Sequence, residues 1–225
     1  LGGLAAGESS LSAAIALEEA ASAADDHRHD GAAGGWGFTR GQQQAGLVAG
    51  TVLLGAAIGA VFGVAFAWSR GRLNGDAWAR SLKLGAVAVA AIVVLPALKY
   101  PANPPGIGDP ATVGARTALY LGVGILGLLL AAAAWTGARQ LAGTRLSRPA
   151  RQAIVGTVTL LGAAAMLSSL PALPVVDEVG MPGELLWSFR LGAMATQVTL
   201  YGGTAAALGL LSARAERETS PTLQG

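Results

Sequence analysis

Cysteine is absent from this 225-residue chain. Disulfides, thiolate metal sites and iron–sulfur clusters are thereby excluded, and the redox compartment is left open. Charge is scarce as well: Asp, Glu, Lys and Arg make up 12% of the residues, against about 25% in an ordinary soluble domain. The net charge is only +2. No basic stripe interleaves with aromatic residues, which argues against nucleic acid as a partner. The phosphate-cradling pattern GxxxxGK[ST] is missing, so ATP hydrolysis by that route is excluded. There is no HExxH, no Ser/His/Asp set and no pair of histidines placed to ligate haem on an apolar run. The chain therefore reads as something other than an enzyme.

Apolar residues account for 52% of the chain and fall in blocks. Gly41 to Ser69, Leu84 to Leu98, Thr117 to Ala138, Gln152 to Val176 and Leu191 to Ala213 contain no Asp, Glu, Lys, Arg or His. A bilayer core of about 30 Å takes about 20 helical residues to cross. Four blocks reach that length. The second is short, and Lys83 and Lys99 extend it by snorkelling to the interface. The expected fold is all-α: a polytopic membrane helix bundle of five transmembrane helices over 41–213. An exterior segment (1–40) precedes it and a tail (214–225) follows. No ionisable group lies deep in any block, which counts against an autonomous ion-coupled pump.

The loops set an orientation. Arg70, Arg72, Arg80 and Lys83 follow the first span, Arg139, Arg145, Arg148 and Arg151 follow the third, and Arg214 and Arg217 follow the last. The alternate segments carry Glu8, Glu18, Glu19, Asp25, Asp26 and Asp30, then Asp177, Glu178 and Glu184. Basic loops mark the cytoplasmic side. The C-terminus is then cytoplasmic and the N-terminal segment outside. An exterior N-terminal segment requires an earlier crossing or a cleaved signal. The expectation is a sixth helix before Leu1, with a signal-peptide remnant as the alternative.

Local signals fill in the order of elements. Ser9 and Ser10 cap a short helix through LSAAIALEEAASAA, and a glycine-rich exterior loop follows. Asn74-Gly75-Asp76 is a turn with Asp76 as an N-cap. Asp109-Pro110 opens the third span, and Ser147 with Pro149 opens the fourth. Ser168, Ser169 and Pro171 end or kink the fourth. Gly46, Gly50, Gly55, Gly59 and Gly63 form a smooth ridge on the first span. Packing inside the bundle is its expected use, and a partner face the alternative. Trp68, Trp78 and Trp135 belong to an inner aromatic belt, and Trp36, Tyr100 and Trp187 to an outer one. From Leu95 to Arg116, five prolines rule out a continuous helix and make a stiff connector.

Candidate ligands are few. Asp25, Asp26, His27, His29 and Asp30 offer imidazole and carboxylate, which suit Co²⁺, Ni²⁺ or Zn²⁺. Arg28 between the histidines opposes a cation, so a transient collecting site is expected and no tightly bound cofactor. Asp177 and Glu178 offer hard oxygen ligands at the outer rim. The other rim charges, Lys99, Arg116 and Arg190 foremost, read as salt bridges fixing helix ends. Within the spans the polar candidates are Thr196, Gln197 and Tyr201, with Met166 and Met194 as soft donors. Gln197 and Tyr201, four apart, share a face.

The stretch LKYPANPPGIGDPATVGARTALY, with Lys99, Tyr100, Pro101, Asn103, Pro104, Pro105, Asp109 and Arg116, resembles the signature of the CbtA family of predicted bacterial cobalt transporter subunits. The segment VVDEVGMPGELLWSFRLGAMATQ, with Glu178, Trp187, Arg190 and Gln197, resembles that family's loop into its last span. AIALEEA before the histidine loop agrees. The resemblance implies cobalt uptake across the bacterial cytoplasmic membrane, linked to cobalamin metabolism. It also implies one further N-terminal helix and a small histidine-bearing single-span partner, CbtB. A non-catalytic accessory subunit of a larger membrane complex is the alternative.

Overall fold

A computed structural model describes residues 40–104, 110–172 and 182–219. Every regular element among them is helical. They run α1 (Arg40–Ser69), α2 (Ala77–Ala88), a π-helical stretch (Val89–Val94), α3 (Leu95–Lys99), a 3₁₀ turn (Pro110–Thr112), α4 (Val113–Ala142), α5 (Arg148–Ser169) and α6 (Gly183–Thr219). Four helical runs are long and apolar enough to cross a membrane: Gln44–Ser69, Ala77–Lys99, Val113–Ala142 and Arg148–Ser169. The second is 23 residues long, because helix extends beyond the short charge-free block, taking in Arg80 and Lys83 before it. Lys83 Nζ reaches back to the Asn74 carbonyl, as a snorkelling ammonium does. α6 has 37 residues but stands outside these four. Thr196, Gln197, Thr199, Tyr201 and Thr204 dilute its apolar stretch.

The helix boundaries follow the capping residues. Asp76 Oδ1 accepts from the Ala79 amide at 2.8 Å, satisfying one orphan donor of α2. Gly75 before it has φ +113°, a conformation open to glycine but strained for residues with a Cβ. Ser147 caps α5 by accepting from the Ala150 amide at 3.4 Å, with Pro149 in the first turn. α5 ends at Ser169, two residues before Pro171.

The proline expectation needs one correction. Helix does not stop at Pro96 but continues to Lys99. The backbone widens first: the Leu95 N–H donates to the Ala90 carbonyl, five residues back. In that register Pro96, which has no N–H, stands where the Ala91 carbonyl needs a donor. That carbonyl is covered from outside. A Cβ built on Gly127 of α4 would lie 2.9 Å from Ala91 O and 3.1 Å from Ala91 Cα. The missing Cβ leaves an α-hydrogen aimed at the carbonyl, a weak donor recurrent at helix crossings. Val93, Val123, Gly124 and Gly127 are buried around this crossing.

The described residues fall into two compact units, one of 86–201 and one of 40–85 with 202–219. In the first, the π-helical stretch packs on α4, and α4 pairs with α5, where Leu130 Cδ1 lies 3.1 Å from a Cβ built on Gly162. In the second, Phe62, Phe66 and Ser69 are buried at the C-terminal end of α1. Ser81 is fully buried and satisfied, its Oγ donating to the Ala205 carbonyl at 2.6 Å. Trp78 packs over Gly209, where a Cβ would come within 2.9 Å of the ring. Arg80 lies over the Phe66 ring at 5.6 Å and pairs with Glu216 at 3.4 Å.

The glycine ridge is not packed as expected. Among the described residues nothing lies within 4 Å of a Cβ built on Gly46, Gly50, Gly55, Gly59 or Gly63. Leu53, Val61 and Val64 beside them are each more than two-thirds exposed. Lipid is a better solvent for these side chains than water, so no internal partner is required of them. The two kinds of glycine should respond differently to a methyl group. Gly127→Ala should lower the thermal midpoint of the detergent-solubilised protein by the equivalent of about 1–3 kcal/mol, the usual penalty of overpacking. Gly59→Ala should stay within about 0.5 kcal/mol, as open-surface substitutions do. A wild-type midpoint for Gly127→Ala would contradict the close crossing.

Candidate functional site

The polar side chains of the 86–201 unit gather at the end where α3 stops. Tyr100 closes that helix: its N–H donates to the Pro96 carbonyl at 2.7 Å, and its ψ of 69° turns the chain away. Pro101 then prevents helix from resuming. The Tyr100 ring is buried, and its hydroxyl donates to the Pro171 carbonyl at 2.8 Å. The start of the proline connector is thus tied to the chain leaving α5. Lys99 lies in the last turn of α3, where its charge favours the negative end of the helix dipole.

A second tie comes from α6. Arg190 donates from Nε to the Ala102 carbonyl at 3.3 Å and from a terminal nitrogen to Asn103 Oδ1 at 3.1 Å. Its guanidinium plane reads two acceptors on adjacent connector residues, a task for which the point charge of lysine is poorly shaped. Pro104 is buried beside them. The motif residues Lys99, Tyr100, Pro101, Asn103 and Pro104 therefore serve, in part, to anchor this loop. Trp187, one turn before Arg190, is 62% exposed, as an interfacial belt residue would be.

Deeper along the same helices, Tyr120 donates to Gln197 Oε1 at 3.0 Å, joining α4 to α6. Arg190, Gln197 and Tyr201 share one stripe of α6, and Arg116 and Tyr120 share one stripe of α4. The expected salt bridge of Arg116 is not found among the described residues. Its Nε is covered and has no hydrogen-bond partner there. Tyr120 was not among the sequence candidates. Its signals are the four-residue step from Arg116 and its place as the last residue of the stretch LKYPANPPGIGDPATVGARTALY.

The expected metal ligands Asp25, Asp26, His27, His29, Asp30, Asp177 and Glu178 lie outside the described residues, as do Pro105 and Asp109. Among the described residues no three His, Asp or Glu side chains come together. Each unit carries a cation on an aromatic face near a helix C-terminus: Arg72 over Trp68 at 4.7 Å in one, and Arg139 over Trp135 at 5.0 Å in the other. Such pairs suit a level where lipid gives way to water.

Arg190→Gln should release the connector. Hydrogen exchange measured by mass spectrometry should quicken at residues 100–104 and stay unchanged at 77–83. Unchanged exchange at 100–104 would show that the clamp does not hold that loop.

No curated protein and no solved structure matches the chain. The family described as probable cobalt transporter subunit, CbtA, matches residues 3–213. With four helices of membrane-crossing length and composition, the chain belongs to that family as a multi-pass membrane protein.

Proposed function

We propose that this chain is the membrane-embedded subunit of a cobalt uptake system that supplies cobalamin metabolism, a transport component rather than an enzyme. The observation that carries the reading is the family match over residues 3–213. α6 is the fifth crossing, its two ends drawn out by Glu184 on one side and by Arg214 and Arg217 on the other. The acidic and histidine-bearing segments face outward, and the arginine-rich loops and the C-terminus face the cytoplasm.

In this scheme Asp25, Asp26, His27, His29 and Asp30, together with Asp177 and Glu178, gather a divalent cation from dilute solution. Carboxylate and imidazole bind Co²⁺ and exchange it readily when the ligand set is incomplete. Cobalt is cargo, not a resident cofactor. A small histidine-bearing single-span protein of the CbtB kind is the expected partner. The bare outer part of α1, with its open glycines and exposed Leu53, Val61 and Val64, favours a chain that works beside other subunits. That same face supports the second reading, a structural subunit of a larger membrane complex.

Radiolabelled cobalt uptake at limiting concentration separates the two. Cells carrying the chain should accumulate the metal several-fold faster than cells lacking it, and His27→Ala with His29→Ala should reduce that gain. Equal uptake with and without the chain would remove the transport reading. Gentle extraction with a large complex and no bound metal would then favour the structural one.

A further inference from the structure

We propose that Arg116, Tyr120 and Gln197 form a binding site for an oxyanion, a carboxylate or phosphate group, at the outer end of the 86–201 unit. The inference does not need the cobalt reading.

It rests on which donors are already used. Tyr120 spends its one O–H on Gln197 Oε1. An amide side chain has two further N–H donors on its nitrogen, and Gln197 makes no other hydrogen bond among the described residues. Arg116 lies one helical turn from Tyr120 on the same face of α4. Its Nε is sealed from solvent and without an acceptor among the described residues. The nitrogen donors of this cluster, the Gln197 amide N–H groups and Arg116 Nε, are therefore unused among the described residues, and one member carries a full positive charge. Arg116 lies in the first turn of α4, where the positive end of the helix dipole has the same sign as its guanidinium.

A half-buried arginine with a sealed, unpaired nitrogen is an unfavourable arrangement on its own. A two-oxygen acceptor relieves it, because the guanidinium fork matches carboxylate and phosphate geometry. A metal cation is disfavoured at the same point by the charge of Arg116. Arg190, two turns nearer the outer end on the Gln197 stripe of α6, is already engaged with Ala102 and Asn103. It shapes the rim and is not counted among the ligands.

The oxyanion has two sources, a soluble carboxylate or phosphate and the phosphate of an anionic lipid. The full chain in phosphatidylcholine nanodiscs should be titrated calorimetrically with citrate and with inorganic phosphate. Retention of phosphatidylglycerol should be followed by native mass spectrometry. Wild type should bind at least one of the three. Arg116→Gln and Gln197→Leu should each weaken that binding about tenfold, a loss of one charged or bidentate contact. Arg116→Lys should recover part of it, and Arg139→Gln, at the far end of α4, should leave it intact. Loss confined to citrate or phosphate identifies a soluble ligand, and loss confined to phosphatidylglycerol a lipid. Thermal midpoints of each variant establish that it is folded. If Arg116→Gln does not fold, Tyr120→Phe and Gln197→Leu carry the test. No binding of any probe to wild type, or equal binding by wild type and these variants, overturns the proposal.

Discussion

A peptide carbonyl in the interior of a bilayer has no water to turn to, so each one must find its donor within the protein. The second span meets this constraint at its hardest point. Pro96 removes a donor in the middle of an apolar run, and the chain responds with a wider turn and a glycine on the neighbouring helix. Leu95 bonds five residues back to Ala90, and Gly127 of α4 lets its backbone approach the Ala91 carbonyl. Proline and glycine, separated by thirty-one residues of sequence, act as one device. It fixes where the second span crosses α4, and so where the connector at Tyr100 emerges.

From that emergence one end of the 86–201 unit is assembled by a handful of polar contacts. Tyr100 reaches Pro171, Arg190 reaches Ala102 and Asn103, and Tyr120 reaches Gln197. Each such bond adds little stability in a membrane, about 0.6 kcal/mol on average. Their value is positional: they set the spacing of α4, α6 and the connector. The other end of this unit is built differently. Arg139 there lies on the Trp135 face, and Arg151 donates to the Ala142 carbonyl at 2.8 Å, closing the end of α4. Within this unit, polar contacts between elements thus gather at one end, and arginines on aromatic and carbonyl groups at the other.

Much of the architecture was legible in the sequence because lipid imposes a simple rule. Long uncharged runs became helices, and Asp76, Ser147 and Ser169 marked boundaries where local hydrogen bonding decides them. The helix through Pro96 was not legible, since its compensation lies on α4 and no local window contains both. The glycine ridge of α1 meets no neighbour among the described residues: such a ridge records that something can approach closely, not what does. At the candidate site, Arg190, Gln197 and Asn103 were named, though not as partners, and Tyr120 was not named. Asn103 and Tyr120 become partners through tertiary contact alone. The histidine and acidic ligands rest on chemistry and family likeness.

The central claim is that successive loops of this chain lie on opposite sides of a membrane. Because the chain contains no cysteine, single introduced thiols report position without interference. Glu184→Cys and Arg145→Cys should be made separately and exposed, in intact cells, to a membrane-impermeant maleimide. The account predicts labelling of the first from outside, and of the second only after the membrane is permeabilised. Labelling of both from the same side would contradict it.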